Sequence, residues 1–331
     1  MVKNNMPKIS VITPVYNAER YIEKSLKALL EQTLEDLEFI IIDDGSIDNS
    51  LKLIYKILEQ YSDRQEECII ISRDNKGVAA TRAEGVNLAK GDYIIHFDSD
   101  DFADKNMLNE MYNLALNENA DIVICDYFIS KQGENIYVPQ NIPKDNIGCI
   151  KKILEGELHG ASWNKLIKRD LYTTHNINYT PNVNYLEDVL FNVKCFFFAK
   201  KIVHLNKAYY YYNKDNDNSI TSSINESKIN SINESISLIH QFLQLQNLNS
   251  VSENELNILK LNQKSWFISS NKNHTTKKIW ALYPESRKKI LNTKKKLYMK
   301  ILLLTSSYGL YRLSALMLKL FVFLNKKIKS L

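Results

Sequence analysis

"YIIHFDSDDF", residues 93–102, decides how the chain is read. Apolar residues suited to a buried strand run directly into Asp98, Ser99, Asp100 and Asp101. Three carboxylates this close repel and raise one another's proton affinity, so they need a cation, a helix N-terminus or open water beside them. Two explanations stand at this point. Either one acid caps a helix starting near Ala103 while the others are solvated, or the acids together gather a cation.

Outward from this stretch, "KISVITPV" (8–15), "EFIIIDD" (38–44), "CIIIS" (68–72) and "DIVICDYF" (121–128) also read as strands. The segments between them carry helical spacing such as Ile22, Leu26, Leu29 and Leu30. Alternating strands and helices with near-continuous Ile and Val runs predict an α/β fold whose mostly parallel sheet is flanked by helices on both faces. In such sheets ligands bind beyond the carboxyl ends of the strands. Those ends are "TPVYN" (13–17), "IDDGS" (42–46), "SRDNKG" (72–77) and "FDSDD" (97–101). No G-x-G-x-x-G follows the first strand and no G-x-x-x-x-G-K-[ST] occurs, which disfavours nicotinamide cofactors and P-loop chemistry.

The length, 331 residues with 44% hydrophobic and 24% charged residues, suits one large domain plus a smaller one. Cys68, Cys125, Cys149 and Cys195 lack metal-ligand spacing and read as reduced thiols of a cytoplasmic protein. The opening "MVKNNMPKISVITPVYN" has no apolar leader or cleavage site, so no signal peptide is expected. Beyond residue 130 the alternation weakens, and "GASWNKLIKRDL" (160–171), "LEDVLFNVKCFFFAKK" (186–201) and "KAYYYYNKDNDNSIT" (207–221) read as a mixed segment folding over the ligand edge. The "YYYY" run reads as strand surface and His96 as a hydrogen-bonded core histidine. From about residue 225 the chain reads as helical.

Taken together, "ISVITPVYNAERYIEKSLKALLEQT", "IIIDDGSIDNS", "NKGVAATRAEGVNLAKGDYIIHFDSDD" and "LEDVLFN" resemble the family 2 glycosyltransferases of the GT-A (Rossmann-like) fold, especially the bacterial polysaccharide and cell-wall type. The resemblance covers about residues 8–221 in order. It implies a glycosyltransferase domain over 1–221, with a nucleotide-binding half at about 8–128 and an acceptor-side half at about 129–221, followed by a helical extension over 222–331. It further implies inverting transfer of a sugar from a nucleotide donor, with UDP preferred, to a glycan or lipid-linked acceptor. In that picture Pro14, Val15 and Tyr16 flank the nucleobase, Asp44 accepts a hydrogen bond from it, and Asn75, Asp98 and Ser99 join the donor site. Arg82 lies near the diphosphate, Asp98 and Asp100 match the D-x-D that holds Mn2+ or Mg2+, and Asp188 matches the catalytic base beside Glu187.

Physical chemistry supports these assignments independently. A hard divalent cation stabilises a leaving diphosphate and needs only one or two carboxylates among its oxygen ligands. That makes Asp100 the expected direct ligand and Asp98 a contact to the ribose or to the metal's waters, with Asp101 left to cap the next helix. A carboxylate at a helix N-terminus stays ionised, which suits a base. Trp163 reads equally as a core aromatic or as an apolar wall for a sugar ring, with Asn164 bonding a hydroxyl. The family's usual Arg after the Tyr-rich strand is Asn213 here, leaving Lys214 or Lys165 as candidate diphosphate contacts. Ala83 stands where the family's Arg-Asn pair has Asn.

Charge is unevenly distributed. Residues 271–331 carry 15 Lys and Arg against Glu285 alone, while residues 1–270 carry 28 basic and 37 acidic residues. "KILLLTSSYGLYRLSALMLKLFVFLNKKIK" (300–329) places Arg312, Lys319 and Lys326 seven apart. This predicts one basic amphipathic helix over about 296–329, with a polar stripe opposite Leu, Met and Phe. The expected partner is the anionic inner face of the cytoplasmic membrane, the alternative being packing on the body or on a second subunit of a homo-oligomer. Nucleic acid is disfavoured because the charges interleave with long aliphatic stretches. A D-x-D phosphatase is disfavoured because Asp101 and Phe102 follow the motif and the motif lies on the fourth strand.

Overall fold

The computed structural model describes residues 6–216, 225–270 and 276–329, without the side chains of 324–329. The chain forms two compact units, one of residues 1–150 with 158–219 and one of residues 151–157 with 220–331. The boundary expected at residues 221 and 222 lies outside the described residues.

The first unit is built on a mixed sheet of nine strands among the described residues. They are β1 (Ile9–Val15), β2 (Leu37–Asp43), β3 (Cys68–Ser72), β4 (Tyr93–His96), β5 (Phe102–Ala103), β6 (Ile122–Lys131), β7 (Glu134–Val138), β8 (Lys165–Lys168) and β9 (Ile202–Asn213). The order is β3-β2-β1-β4-β8-β6-β9-β5, with β7 paired to β6. Pairing is parallel across β3-β2-β1-β4, where each strand returns through a helix, and turns antiparallel at β4–β8 and β8–β6. The four-residue β8 is too short to carry a periodic signal, so the sequence reads as more parallel than the sheet is. Helices α1 (Ile22–Leu30), α2 (Ser50–Leu58), α3 (Val78–Leu88), α4 (Met107–Glu118), α5 (Asn146–Glu155), α6 (Arg169–His175) and α7 (Glu187–Phe198) complete this part, α5 running into the second unit.

Every residue of β2 and all of β1 except Pro14 are buried, as the continuous apolar runs require of strands covered on both faces. Helix α1 buries Ile22, Leu26, Leu29 and Leu30 against one face. Helix α3 approaches the sheet at Gly85, where a Cβ would lie 2.4 Å from Ile12 Cγ2. His96 is buried, and neither ring nitrogen finds a hydrogen-bond partner among the described residues. It packs edge-on against Tyr179 and Phe191, and burial keeps it neutral by holding its pKa well below the usual value. The tyrosine run is not simply surface, because Tyr210 is fully buried and stacks 4.3 Å from Trp163.

The second unit contains α8 (Glu226–Leu245), α9 (Asn249–Ser270), α10 (Lys277–Trp280), α11 (Leu297–Ser307) and α12 (Tyr311–Lys329). Asn225 caps α8 by accepting from the Lys228 N–H at 2.8 Å. The single helix expected over 296–329 is two helices. Gly309 takes φ +77°, and the Gly309 and Leu310 N–H groups return to the Ser306 and Thr305 carbonyls, so α11 ends in a glycine cap. Helix α12 folds back on α11 through a 2.7 Å Thr305–Ser314 hydroxyl bond and a Tyr298–Phe321 ring contact. No helix among the described residues is long and apolar enough to cross a membrane.

Alanine is the better helix former, yet Gly85→Ala is expected to destabilise the protein by about 1–3 kcal/mol, because its methyl group collides with Ile12. Denaturant unfolding checks this, and an unchanged or raised midpoint would contradict the packing at α3.

Candidate active site

The parallel strands end level with one another, Val15 pairing with Asp43 and Asp43 with Ser72. This sets Tyr16, Asp44 and Arg73 side by side on the rim. Tyr16 is 53% exposed and offers an open ring, while Pro14 is half-buried. Val15, expected among the nucleobase contacts, has a fully buried side chain that belongs to the core. Only its backbone reaches the rim, and its carbonyl accepts from the Asp44 N–H at 2.8 Å.

Asp44 is engaged by the protein itself. Its carboxylate accepts from the Lys76 and Gly77 N–H groups at 2.8 and 2.9 Å and from the Arg73 guanidinium. Of roughly four acceptor positions on a carboxylate, about one remains for a ligand. Arg73 also bonds Glu84 Oε2 at 2.7 Å and Thr81 Oγ1 at 2.9 Å, so the loop carrying the exposed Asn75 is fixed to α3. Gly45 permits this closeness: it takes φ +75°, and a Cβ would lie 2.8 Å from the Asn75 nitrogen.

At the end of β4 the acids of the opening motif separate by role. Asp101 is buried and accepts from Tyr210 Oη and the Asn213 N–H, both at 2.7 Å. It does not cap a helix: Phe102 and Ala103 form β5, and α4 begins only at Met107. Burial first, then the charges of Asp100 and Asp98, push its pKa well up. Ser99 and Asp100 stay half-buried at the edge, where Asp100 Oδ2 accepts from Asn216 at 2.7 Å. The end of β9 therefore clasps the motif, and Asn213 serves as part of that clasp. Lys214 lies beside it, its Nζ 2.7 Å from Tyr212 Oη, and partial burial of its ammonium lowers its pKa against the opposing charges of Asp101 and Asp100.

Arg82 joins this edge to α7. It is 4% exposed, and its Nη1 bonds Glu187 Oε1 at 2.8 Å and Asp188 Oδ1 at 2.7 Å while Nη2 bonds Asp98 Oδ1 at 2.8 Å. Expected near a diphosphate, it has both Nη atoms engaged by carboxylates. Burial works against its charge, but Asp188 and Asp98 outweigh it and hold the pKa well above the usual value. Burial also raises Asp98 to about 6, helped by Asp100 and Asp188 and opposed by Arg82. Glu187 rises to about 7 by burial and by the charge of Asp188.

The segment entering α7 is set for this contact. Asn184 accepts from the Ala79 N–H at 3.0 Å, tying it to the start of α3. Leu186 takes the left-handed conformation at φ +57°, a strained choice for a side chain of this size, and turns Glu187 and Asp188 into the first turn of α7. Asp188 Oδ1 receives three hydrogen bonds, from Arg82, from Ser162 Oγ at 3.1 Å and from Tyr179 Oη at 3.2 Å. Tyr179 Oη also lies 2.9 Å from Ser162 Oγ, so its single proton is shared between Asp188 and Ser162. Sequence reasoning missed Ser162 and Tyr179. Ser162 had only its place beside Trp163 as a signal, and Tyr179 sits in an irregular stretch without periodicity.

Trp163 and Asn164 do not form an open wall. Trp163 is 2% exposed between Tyr210, Tyr127 and His159, and Asn164 donates to the Cys125 carbonyl while accepting from Lys165. Lys165 is equally interior: its ammonium donates to the His159 and Ala161 carbonyls and to Asn164 Oδ1, and burial lowers its pKa to about 7. These residues hold the loop that presents Ser162. No group of three or more His, Cys, Asp or Glu suited to a metal occurs among the described residues, so a cation at this edge would take two carboxylates at most and complete its shell elsewhere.

The high affinity of Glu187 for its proton sets a pH signature. The native state keeps that proton to about pH 7 against an ordinary value of 4.5, so it binds more protons than the unfolded chain in this window and loses stability as pH rises through it. Glu187→Gln removes the loss. The Tm of this variant minus that of the unaltered protein is expected to be more positive at about pH 8 than at about pH 5; equal differences would contradict the assignment.

The family described as "Glycosyl transferase family 2" matches residues 10–175. "Putative glycosyltransferase EpsH" of Bacillus subtilis is 31% identical over 215 residues, which cover 62% of this chain and 60% of that protein. "Cholesterol galactosyltransferase" of Borreliella burgdorferi is 33% identical over 231 residues, 66% of this chain and 63% of that one. The chain thus spans about three-fifths of the length of these relatives. The crystal structure of S. aureus TarS 1–349 in complex with UDP-GlcNAc superposes with a TM-score of 0.60 at 19% identity, covering 91% of this chain and 89% of that one, a likeness of fold. With a match across half its length and a strand-end acidic motif facing a helix-borne carboxylate, the chain belongs to glycosyl transferase family 2.

Proposed function

We propose that the protein is a metal-dependent, inverting glycosyltransferase that moves a sugar from a nucleotide-sugar donor, UDP-linked by preference, to a hydroxyl of a glycan or lipid-linked acceptor in bacterial surface polysaccharide assembly. The observation that carries this is the pinning of Asp188: Arg82, Ser162 and Tyr179 hold Oδ1, and among the described residues no bond is made to Oδ2. Oδ2 is then the atom that takes the acceptor's proton. As the O–H bond breaks, the acceptor oxygen attacks the anomeric carbon from the face opposite the diphosphate. The carbon–oxygen bond to the diphosphate breaks with its electron pair leaving on the nucleotide, and the centre inverts. Such a base contributes roughly 10² to 10⁴ in rate.

Tyr16 offers a stacking face for the base and Asp44 its remaining acceptor position, with Pro14, Asn75 and Ser99 along the same rim. UDP is favoured because the fold neighbour described above was solved with UDP-GlcNAc. Asp100 and Asp98 would hold Mn2+ or Mg2+, whose chemistry is to neutralise charge on the departing diphosphate. The residues fit that group. Both supply hard oxygen donors, and Asp100 raises the proton affinity of Asp98 as an uncompensated like charge does. Arg82 acts from beneath, fixing the spacing between the acids and the base. The acceptor would be met at the inner face of the cytoplasmic membrane.

Calorimetric titration of UDP, GDP and dTDP with Mn2+ and with EDTA tests the donor half. Metal-dependent binding of UDP, lost in Asp100→Ala, is expected; binding of no nucleotide by the folded protein would end this reading. Asp188→Asn keeps the Oδ1 contacts but removes the base. It is expected to leave UDP affinity within about twofold and to lower kcat by roughly 10² or more. A kcat within tenfold of the unaltered enzyme would move the base elsewhere.

A further inference from the structure

We propose that the outer face of α12 is a docking surface for an anionic lipid bilayer. This names the membrane partner of the transfer reading above and rests on that reading only for its biological purpose. The inner edge of α12 is already satisfied: Ser314 and Leu318 are buried and Ser314 bonds Thr305 of α11. The outer edge nevertheless carries large apolar side chains, Leu313, Leu316, Leu320 and Phe323, which are 44–65% exposed. At about 100° per residue these four project within an arc of about 80°. The exposed Arg312 and Lys319 fall within about 40° of its border. The cations therefore lie beside the apolar face, correcting the expected arrangement of a polar stripe opposite it. The Lys326 side chain lies outside the described residues.

Charge decides what covers this face. Residues 286–331 contain twelve Lys and Arg and no Asp or Glu. The same face of a second copy would bring like charge against it, whereas an anionic bilayer takes the leucines into its interface and lets the bordering cations reach lipid headgroups. Tyr308 and Leu310, 62% and 51% exposed at the corner after α11, add apolar surface at the head of the helix.

The test uses the full chain with phosphatidylcholine vesicles carrying about a third phosphatidylglycerol, and with phosphatidylcholine alone. Co-sedimentation with the anionic vesicles only, weakening as salt rises, is expected. Leu316→Glu with Leu320→Glu should lower that binding at least about tenfold. Arg312→Gln with Lys319→Gln should weaken it and flatten its salt dependence. All these positions are exposed, so Tm and UDP affinity should match the unaltered protein, and UDP titration separates failure of the donor site from failure of the docking face. No sedimentation with anionic vesicles at low salt overturns the proposal. So does a dimer that the Leu316 and Leu320 changes dissolve while vesicle binding persists, which would assign the face to a second copy.

Discussion

A buried guanidinium holding three carboxylates is the contact on which the rest of the site depends. Arg82 comes from α3, Asp98 from the end of β4, and Glu187 and Asp188 from the start of α7. Elements 105 residues apart in the chain are thereby brought to hydrogen-bonding distance by one side chain. Lysine would not substitute, because a single ammonium cannot fan out to three acids in fixed directions. Removing one partner of a buried ion pair costs about 3–5 kcal/mol, since the remaining charges are left uncompensated. The position is thus under structural constraint before any ligand is considered.

The same cluster is electrostatically incomplete, and that gives it chemical use. Asp98, Glu187 and Asp188 share one guanidinium with Asp100 and Asp101 close by, and burial first, then the neighbouring like charges, raises the proton affinities of Asp98, Asp101 and Glu187. Burial and like charge together make such a site hold protons or attract cations. The fold separates the two outcomes by depth. Asp101 lies inside against Tyr210 and Asn213, while Asp100 lies at the edge with Asn216. One motif thereby supplies an acid that locks the end of β9 and an acid left within reach of a ligand.

Much of this was legible in the sequence, for identifiable reasons. The five strands quoted there are present because continuous Ile and Val runs have few alternatives to a covered parallel sheet. The approach of Asp98 to Glu187 and Asp188 through Arg82 was not readable from spacing, and the family resemblance implied only separate roles for these residues in one site. Some local patterns suit two environments, and only the packing chooses between them. Trp163, read equally as core or as pocket wall, is core under the tyrosines of β9, and Lys165 looks like a ligand contact until the carbonyls of the 159–164 loop close over it. Asp101 looks like a cap until Tyr210 binds it. The tail looks like one helix because its apolar period runs through Gly309, and only the positive φ there shows where the chain turns.

The strained entry to α7 links stability to chemistry. A left-handed Leu186 costs roughly 1–3 kcal/mol, and the first turn of α7 has no side-chain cap. A relaxed helix start would end one residue earlier or later and rotate Glu187 and Asp188 by about 100°. What holds the strained form is the set of bonds at either side: Asn184 to the α3 backbone before the turn, and Arg82, Ser162 and Tyr179 to Asp188 after it. These bonds therefore determine where a carboxylate oxygen faces, and the buried His96, Tyr179 and Phe191 rings behind them leave little room for the segment to relax. The aromatic packing beneath α7 is in this sense part of the site, since it keeps one oxygen of Asp188 occupied and leaves the other without a hydrogen-bond partner among the described residues.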